Sequence, residues 1–93
     1  MDQETRIEDL LHRNLVRERR YGSHRAWVQV AEVRNEAWGK DLPIPHVQEL
    51  IEAVLRRPEW YRLDVKTTAK DGIIGYEYTD AEGASLTREY SGY

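Results

Sequence analysis

The side chains best suited to acid–base or nucleophilic chemistry are spread along this sequence without a recognisable constellation. Its three histidines, His12, His24 and His46, stand far apart in the chain, and cysteine is absent. A catalytic base must lie within hydrogen-bonding reach of the group it serves, and neither a glycine-rich phosphate loop nor a nucleophile elbow occurs. The sequence therefore predicts a protein that is not an enzyme.

The lack of cysteine also restricts metal and redox chemistry. Without thiols, a disulfide scaffold, a zinc ribbon and a redox motif are all excluded. Neighbouring carboxylates, such as Glu8 with Asp9 and Glu49 with Glu52, fall on predicted helix surfaces, where a solvated polar face is the ordinary interpretation. We therefore expect no metal site, no cofactor and no small-molecule ligand.

Arginine is the residue type whose placement suggests binding. Arg13, Arg17 and Arg20 follow i, i+4, i+7 spacing, so they share one helix face that could follow phosphates or meet an acidic partner. Residues 13–25 have a net charge of +4 and residues 67–93 a net charge of −3, within a chain of formal charge −3. The sequence predicts a dipolar molecule, with a merely solvated arginine face as the plain alternative.

The size and composition of the chain indicate one domain spanning residues 1–93. A chain of 93 residues, 40% of them hydrophobic and 33% charged, is too short for two independent cores. No apolar run approaches the roughly 18 residues that a membrane span needs. The acidic start, followed by amphipathic sequence, resembles neither a secretory signal nor a transit peptide. We therefore expect a cytoplasmic protein with no membrane partner.

Apolar periodicity predicts two clear helices. The first begins at Thr5, because Thr5-Arg6-Ile7-Glu8 matches a capping box, and it runs to about Arg20, with Gly22 as its stop. The other spans roughly Pro45 to Arg57 and has the cleanest apolar stripe in the chain.

The segment between these helices, residues 26–38, is ambiguous. Its valines and Trp27 suit a strand as well as a helix. More than ten residues without a breaker favour a helix that ends at Gly39. The alternative is a strand over residues 27–33 that joins the sheet formed by the C-terminal part of the chain.

From Trp60 onward the apolar period changes to two. One strand places Tyr61, Leu63, Val65 and Thr67 on one side, and after a turn at Lys70-Asp71-Gly72 a second strand pairs with it. Residues 85–90 suggest a third strand after a turn at residues 80–83. The fold class is therefore α+β, with a C-terminal antiparallel β-hairpin or three-stranded sheet.

Large aromatic residues are expected to supply much of the core. With no phenylalanine in the chain, Trp27, Trp38 and Tyr76 are the economical packing residues. Further rings left exposed beside an edge strand would mark a protein partner or a homodimer surface.

Three helices followed by a hairpin, with a short proline-containing turn between the second and third helices, resemble a winged helix-turn-helix domain. The resemblance covers about Ile7 to Thr79 and rests on topology. It implies that the helix over residues 45–57 is the DNA-recognition helix and that residues 67–72 form the wing. It also implies a regulator of transcription or an accessory factor of a mobile element, although many members of this class bind protein.

Double-stranded DNA is the first partner that this interpretation suggests. The acidic Glu49 and Glu52 on the third helix weigh against it, since they would face phosphate repulsion. The alternative is a non-enzymatic protein-interaction module or homodimeric adaptor that uses the aromatic C-terminal strands. The residues predicted to contact DNA are Arg13, Arg17, Arg20, Arg25, Gln48, Arg56, Lys66 and Lys70.

Overall fold

The computed structural model describes residues 2–38, 41–68 and 72–91. Within them the chain forms α1 (Gln3–Arg20), β1 (Ala26–Gln29), α2 (Val30–Trp38), α3 (Ile44–Leu55), β2 (Trp60–Thr68), β3 (Gly72–Asp80) and α4 (Ala81–Ser91). The strands form one antiparallel sheet in the order β1-β3-β2. The predicted α+β class with an antiparallel sheet is confirmed, but the described residues form four helices instead of the predicted three, and the third strand of the sheet does not come from the C-terminal part of the chain.

Helix α1 begins earlier than predicted because Asp2, rather than Thr5, caps it. The Asp2 carboxylate accepts a hydrogen bond of 2.7 Å from the Thr5 amide, and this bond lowers the pKa of Asp2. The predicted capping box at Thr5 is therefore wrong. After the helix, Gly22 takes a φ of +88°, the left-handed conformation that glycine adopts without steric cost, so the predicted stop is confirmed.

The prediction of one helix over residues 26–38 is wrong in its first four residues. These residues form β1, with Ala26 opposite Tyr78 and Val28 opposite Tyr76 of β3. Strand β3 has a second edge that does not pair with β2, and its backbone groups form hydrogen bonds with residues 26–29. The apolar periodicity of residues 26–29 does not reveal this pairing. Gly75 allows the close approach, because a Cβ there would lie 2.9 Å from the Val28 carbonyl oxygen. The alternative of a strand that joins the hairpin is the correct one, although it ends at Gln29.

The third strand predicted at residues 85–90 is also wrong, because residues 81–91 form helix α4. The Asp80 carboxylate accepts a hydrogen bond of 2.9 Å from the Gly83 amide and so satisfies a donor at the start of this helix. The sequence Asp80-Ala81-Glu82-Gly83 is thus a helix start rather than a turn between strands. The third strand of the sheet is β1.

Strands β2 and β3 form the predicted hairpin, although Lys70 and Asp71 of its turn lie outside the described residues. The pairing shifts by one residue between Arg62 and Asp64, which leaves Leu63 as an extra residue in β2. The shift breaks the predicted alternation, because Trp60 and Val65 both pack against the core whereas Leu63 is 42% exposed. Grouping Leu63 and Val65 on one side was therefore wrong.

The core lies between α1, α2 and α3 and one face of the sheet. Tyr76 and Tyr78 of β3 are fully buried there, as was predicted for Tyr76. Trp60 joins them, with its ring edge-on to Tyr78 at a centroid distance of 5.7 Å. Trp38 packs at the margin of this cluster, as expected, but Trp27 is 44% exposed and does not belong to it. The surface therefore keeps one of the tryptophans that sequence reasoning assigned to the core.

Two arginines fasten the ends of α1 to the rest of the domain. Arg57, just beyond α3, donates to Glu4 at 2.7 Å and to Glu8 at 2.8 Å in the first half of α1. Near the other end of α1, the guanidinium of Arg19 binds the carboxylate of Asp80 in a bidentate pair. The orientation of α1 is thus fixed at both ends by charged side chains.

We expect Gly83→Ala to destabilise the fold. A Cβ at this position would lie 2.5 Å from the His24 carbonyl oxygen and closer still to the Thr79 hydroxyl, so α4 would have to move away from the sheet. The expected loss in the free energy of unfolding is about 1–3 kcal/mol, measured by urea denaturation. Ser85→Ala, at an exposed position of the same helix, is the control and should stay within about 0.5 kcal/mol of wild type. Equal stabilities of the two variants would contradict this packing.

The pair of Arg19 with Asp80 predicts a specific loss of stability in acid. Partial burial by itself raises the pKa of Asp80, but the hydrogen bonds from Arg19 and the Gly83 amide outweigh it and lower the pKa below the usual 3.8. This stabilisation is complete above that pH and is lost as the pH falls through the lowered pKa. Asp80→Asn should therefore be less stable than wild type at pH 7 by roughly 1 kcal/mol, and the difference should shrink below pH 4. A difference that does not change with pH in urea titrations would overturn the assignment.

Candidate functional site

The second half of α1 presents an exposed surface that we call the arginine face, made of His12, Arg13, Val16, Arg17 and Arg20. At about 100° per residue, its three arginines fall within about 60° of the helix circumference. They point away from the buried Leu11 and Leu15, which anchor the opposite side of the helix. The structure therefore places these three predicted contact residues together.

Most of the positive charge on the arginine face is not neutralised within the described part of the chain. Arg13 pairs with Asp9 at 3.0 Å, but both side chains are more than half exposed, and such a pair is weak. Arg17 donates to the Asn14 side-chain oxygen, which is uncharged. Among the described residues, no carboxylate forms an ion pair with Arg17 or Arg20. These two guanidiniums are therefore available to an external anion.

The remaining predicted contact residues do not join this surface. Arg25 pairs with Glu77 of β3 at 3.0 Å, so its charge is offset. Lys66 is exposed on β2, and Lys70 lies outside the described residues. Gln48 of α3 is half-buried, and the exposed Arg56, which caps the C-terminal end of α3, stands 3.7 Å from Glu52.

Helix α3 packs against the opposite half of α1 from the arginine face. His46 lies 3.1 Å from the Gln3 side-chain oxygen, and Arg57 binds Glu4 and Glu8. From Glu8 to Arg17 the axis of α1 rises by about 13 Å. The helix that the resemblance assigns to base recognition and the arginine face are thus separate surfaces, and the exposed side of α3 bears charges of both signs.

A groove of about 170 Å³, which we call the α1–α2 groove, lies beside the arginine face. One wall is formed by Arg13, Asn14 and Arg17 of α1 and the other by Glu32 and Glu36 of α2. Leu10, Trp27, Val28 and Val33 complete the lining. The Asn14 amide donates to the Trp27 carbonyl oxygen at 3.3 Å, which holds α1 beside the outer edge of β1. The groove therefore exists because β1 lies beside α1.

Sequence reasoning missed Glu32, Glu36 and Trp27 as candidate functional residues. The i, i+4 spacing of the glutamates was visible, but it is common on solvated helices. Their position across from Arg13 and Arg17 depends on the change from β1 to α2 at residues 29–30, where the sequence pattern predicts a continuous helix. No local pattern could have revealed this arrangement.

The aromatic C-terminal strands are largely committed to the core. Tyr76, Tyr78 and Trp60 are buried, so they offer little surface to a partner. Tyr61 remains 36% exposed and Leu63 42% exposed on β2, which is an edge strand. The surface available to a protein partner is therefore smaller than the aromatic content suggested.

Comparisons with known proteins add no relative. No family model matches the chain, and searches of curated proteins and of solved structures find no significant match. Within the described residues, none of the helices has the length and apolar character needed to cross a membrane. Function therefore has to be inferred from the geometry of the arginine face and its surroundings.

Proposed function

We propose that this chain is a winged-helix-like domain that binds double-stranded DNA, with the arginine face as its main phosphate contact. The element order α1-β1-α2-α3-β2-β3 and the sheet order β1-β3-β2 support the winged-helix arrangement, with the β2–β3 hairpin in the position of the wing. Helix α4 extends the chain beyond this unit. A role in transcription regulation or as an accessory factor of a mobile element is consistent with such a domain.

The observation that carries the proposal is the row of three exposed arginines on α1. Guanidinium groups bind phosphate oxygens through paired hydrogen bonds, and an exposed row of them raises the local potential even in a chain of net charge −3. From Arg13 to Arg20 the helix rises by about 10 Å, which corresponds to about three phosphate repeats of one strand measured along the duplex axis. The arginine face thus has the length and charge to follow a short stretch of the DNA backbone.

The same geometry favours contact with the backbone over recognition of sequence. Base readout needs donors and acceptors presented in a groove, whereas the exposed side of α3 combines Glu49 with Arg56. Phosphate contacts position a protein on DNA without reading bases. Arg25, Gln48, Arg56, Lys66 and Lys70 accordingly contribute no required contact in this proposal, and the binding tolerates many sequences.

Fluorescence anisotropy with a random-sequence duplex tests the proposal directly. Three phosphate contacts predict that the logarithm of the association constant falls with the logarithm of salt concentration with a slope of about −2.7. The double variant Arg17→Gln/Arg20→Gln should bind at least about 10-fold more weakly at low salt and have a slope near −1. Circular dichroism confirms that the variant is folded, as expected for two exposed residues.

The matched control is Arg56→Gln/Lys66→Gln, which removes the same charge from α3 and β2. We expect it to keep most of the affinity and nearly the whole salt slope. If this control loses binding while the α1 variant keeps it, α3 and the hairpin are the contact surface and the arginine face is not. Absence of binding by wild type at low salt would refute the DNA function as a whole.

The exposed part of β2 favours protein association as a second candidate function. Tyr61 and Leu63 are exposed apolar residues on this edge strand, and they alternate with the charged residues Arg62 and Asp64. The Asp64 carboxylate accepts a hydrogen bond from the Val65 amide at 2.8 Å, which occupies part of the edge. A partner or a second copy would therefore pack against these side chains instead of extending the sheet.

Light scattering coupled to size-exclusion chromatography tests this second function. If the chain associates through β2, wild type should show a mass above that of the monomer, and Tyr61→Ser/Leu63→Ser should restore the monomer. Val16→Ser, which alters an exposed apolar residue on α1, is the control and should leave the mass unchanged. A monomeric wild type at every concentration would argue against self-association through this strand.

A further inference from the structure

We propose that the α1–α2 groove binds a small zwitterion of the free α-amino acid class. In this site the ligand carboxylate lies against the arginine wall and its ammonium group against the glutamate wall. The site shares Arg13 and Arg17 with the proposed DNA contact, but its binding does not depend on that function and is measured without DNA.

The charges on the two walls call for a ligand that carries both signs. Each wall presents two like charges one helical turn apart, Arg13 and Arg17 on α1 and Glu32 and Glu36 on α2. In the described part of the chain, no ion pair crosses the groove from one wall to the other. Arg13 pairs instead with Asp9, and Arg17 with the neutral Asn14. The opposite charges therefore face one another across a space that a ligand with two charged ends can bridge.

A ligand with a single charge fits this site less well. An anion inside the groove would lie beside two carboxylates as well as the arginines, and a cation there would lie beside two guanidiniums as well as the glutamates, so each would meet repulsion from the opposite wall. The DNA backbone of the proposed function contacts the arginine face from outside the groove. A zwitterion satisfies both walls at once.

The dimensions of the groove limit the ligand to about one residue. Its volume of about 170 Å³ is below the roughly 300 Å³ at which pockets for drug-sized molecules begin. Each charged pair extends only about 6 Å along its helix, which is too short to recognise a helix or a long peptide. A single amino acid matches this space.

The lining of the groove makes little demand on the ligand side chain. Leu10 and Val33 are buried beneath the walls, so most of the lining is polar, and Val28 and Trp27 add a small apolar area. The charged walls therefore decide binding, and the site selects the ammonium and carboxylate groups of the ligand. L-leucine is the probe, because it carries both groups and is about the size of the groove.

Nuclear magnetic resonance titration of the whole chain with L-leucine at constant ionic strength tests the site. We expect saturable shifts of the Trp27 and Asn14 resonances, with a Kd on the order of 1–10 mM, as a ligand of this size in an open groove would give. N-acetyl-L-leucine lacks the ammonium group, and L-leucinamide lacks the carboxylate. Each should bind at least about 10-fold more weakly than leucine.

Variants of the glutamate wall complete the test. Glu32→Gln/Glu36→Gln should weaken leucine binding at least about 10-fold, whereas Glu49→Gln on α3 should leave it unchanged. The glutamate variant keeps every arginine, so its DNA binding should persist, and failure of the two proposals can be told apart. No shift with leucine up to about 50 mM would overturn the inference. Equal binding of N-acetyl-L-leucine would also overturn it, by showing a simple anion site.

Discussion

Two buried tyrosine hydroxyls on the central strand hold the helices to the sheet. Tyr78 is fully buried and donates a hydrogen bond of 2.7 Å to the Leu11 carbonyl oxygen of α1, while Tyr76 donates to Glu52 of α3 at 2.8 Å. Burial raises the pKa of both phenols, so they remain protonated donors. A buried hydroxyl without a partner is costly, so only a narrow range of helix positions satisfies both bonds. Because β3 pairs with both other strands, these two hydrogen bonds fix the position of the whole sheet relative to α1 and α3.

The surfaces proposed to bind ligands follow from this arrangement. Tyr78 fixes the middle of α1, which turns Leu11 and Leu15 inward and leaves Arg13 and Arg17 outward. The pairing of β1 with β3 then brings Trp27 against Asn14 and starts α2 across from α1. The arginine face and the α1–α2 groove thus depend on the same central strand, although neither includes a residue of it.

Local sequence patterns predict a helix or strand correctly where the side chains of that element itself determine its structure. The stripe of α3, the arginine spacing on α1 and the change of period at Trp60 could all be read from the sequence. The errors arose where distant residues decide the outcome. Residues 26–29 become a strand because β3 is available to pair with them, and Asp80 starts a helix with Arg19 as its partner, 61 positions away. Arg25 looked like a contact residue, but Glu77 offsets its charge at a separation of 52 positions.

The distribution of partners among the arginines explains how an acidic chain keeps a basic surface. Arg19, Arg25 and Arg57 each bind a carboxylate on another element, and these long-range pairs hold α1, the sheet and α3 together. On the arginine face, Arg13 pairs with Asp9. Arg17 and Arg20 have no carboxylate partner among the described residues. A guanidinium that stabilises the fold has already lost part of its hydration, and its partner carboxylate offsets its charge, whereas an exposed one keeps its hydration and an unopposed charge for a ligand. The net charge of the chain therefore says little about binding, because paired and exposed arginines contribute equally to the total but unequally to the field outside the protein.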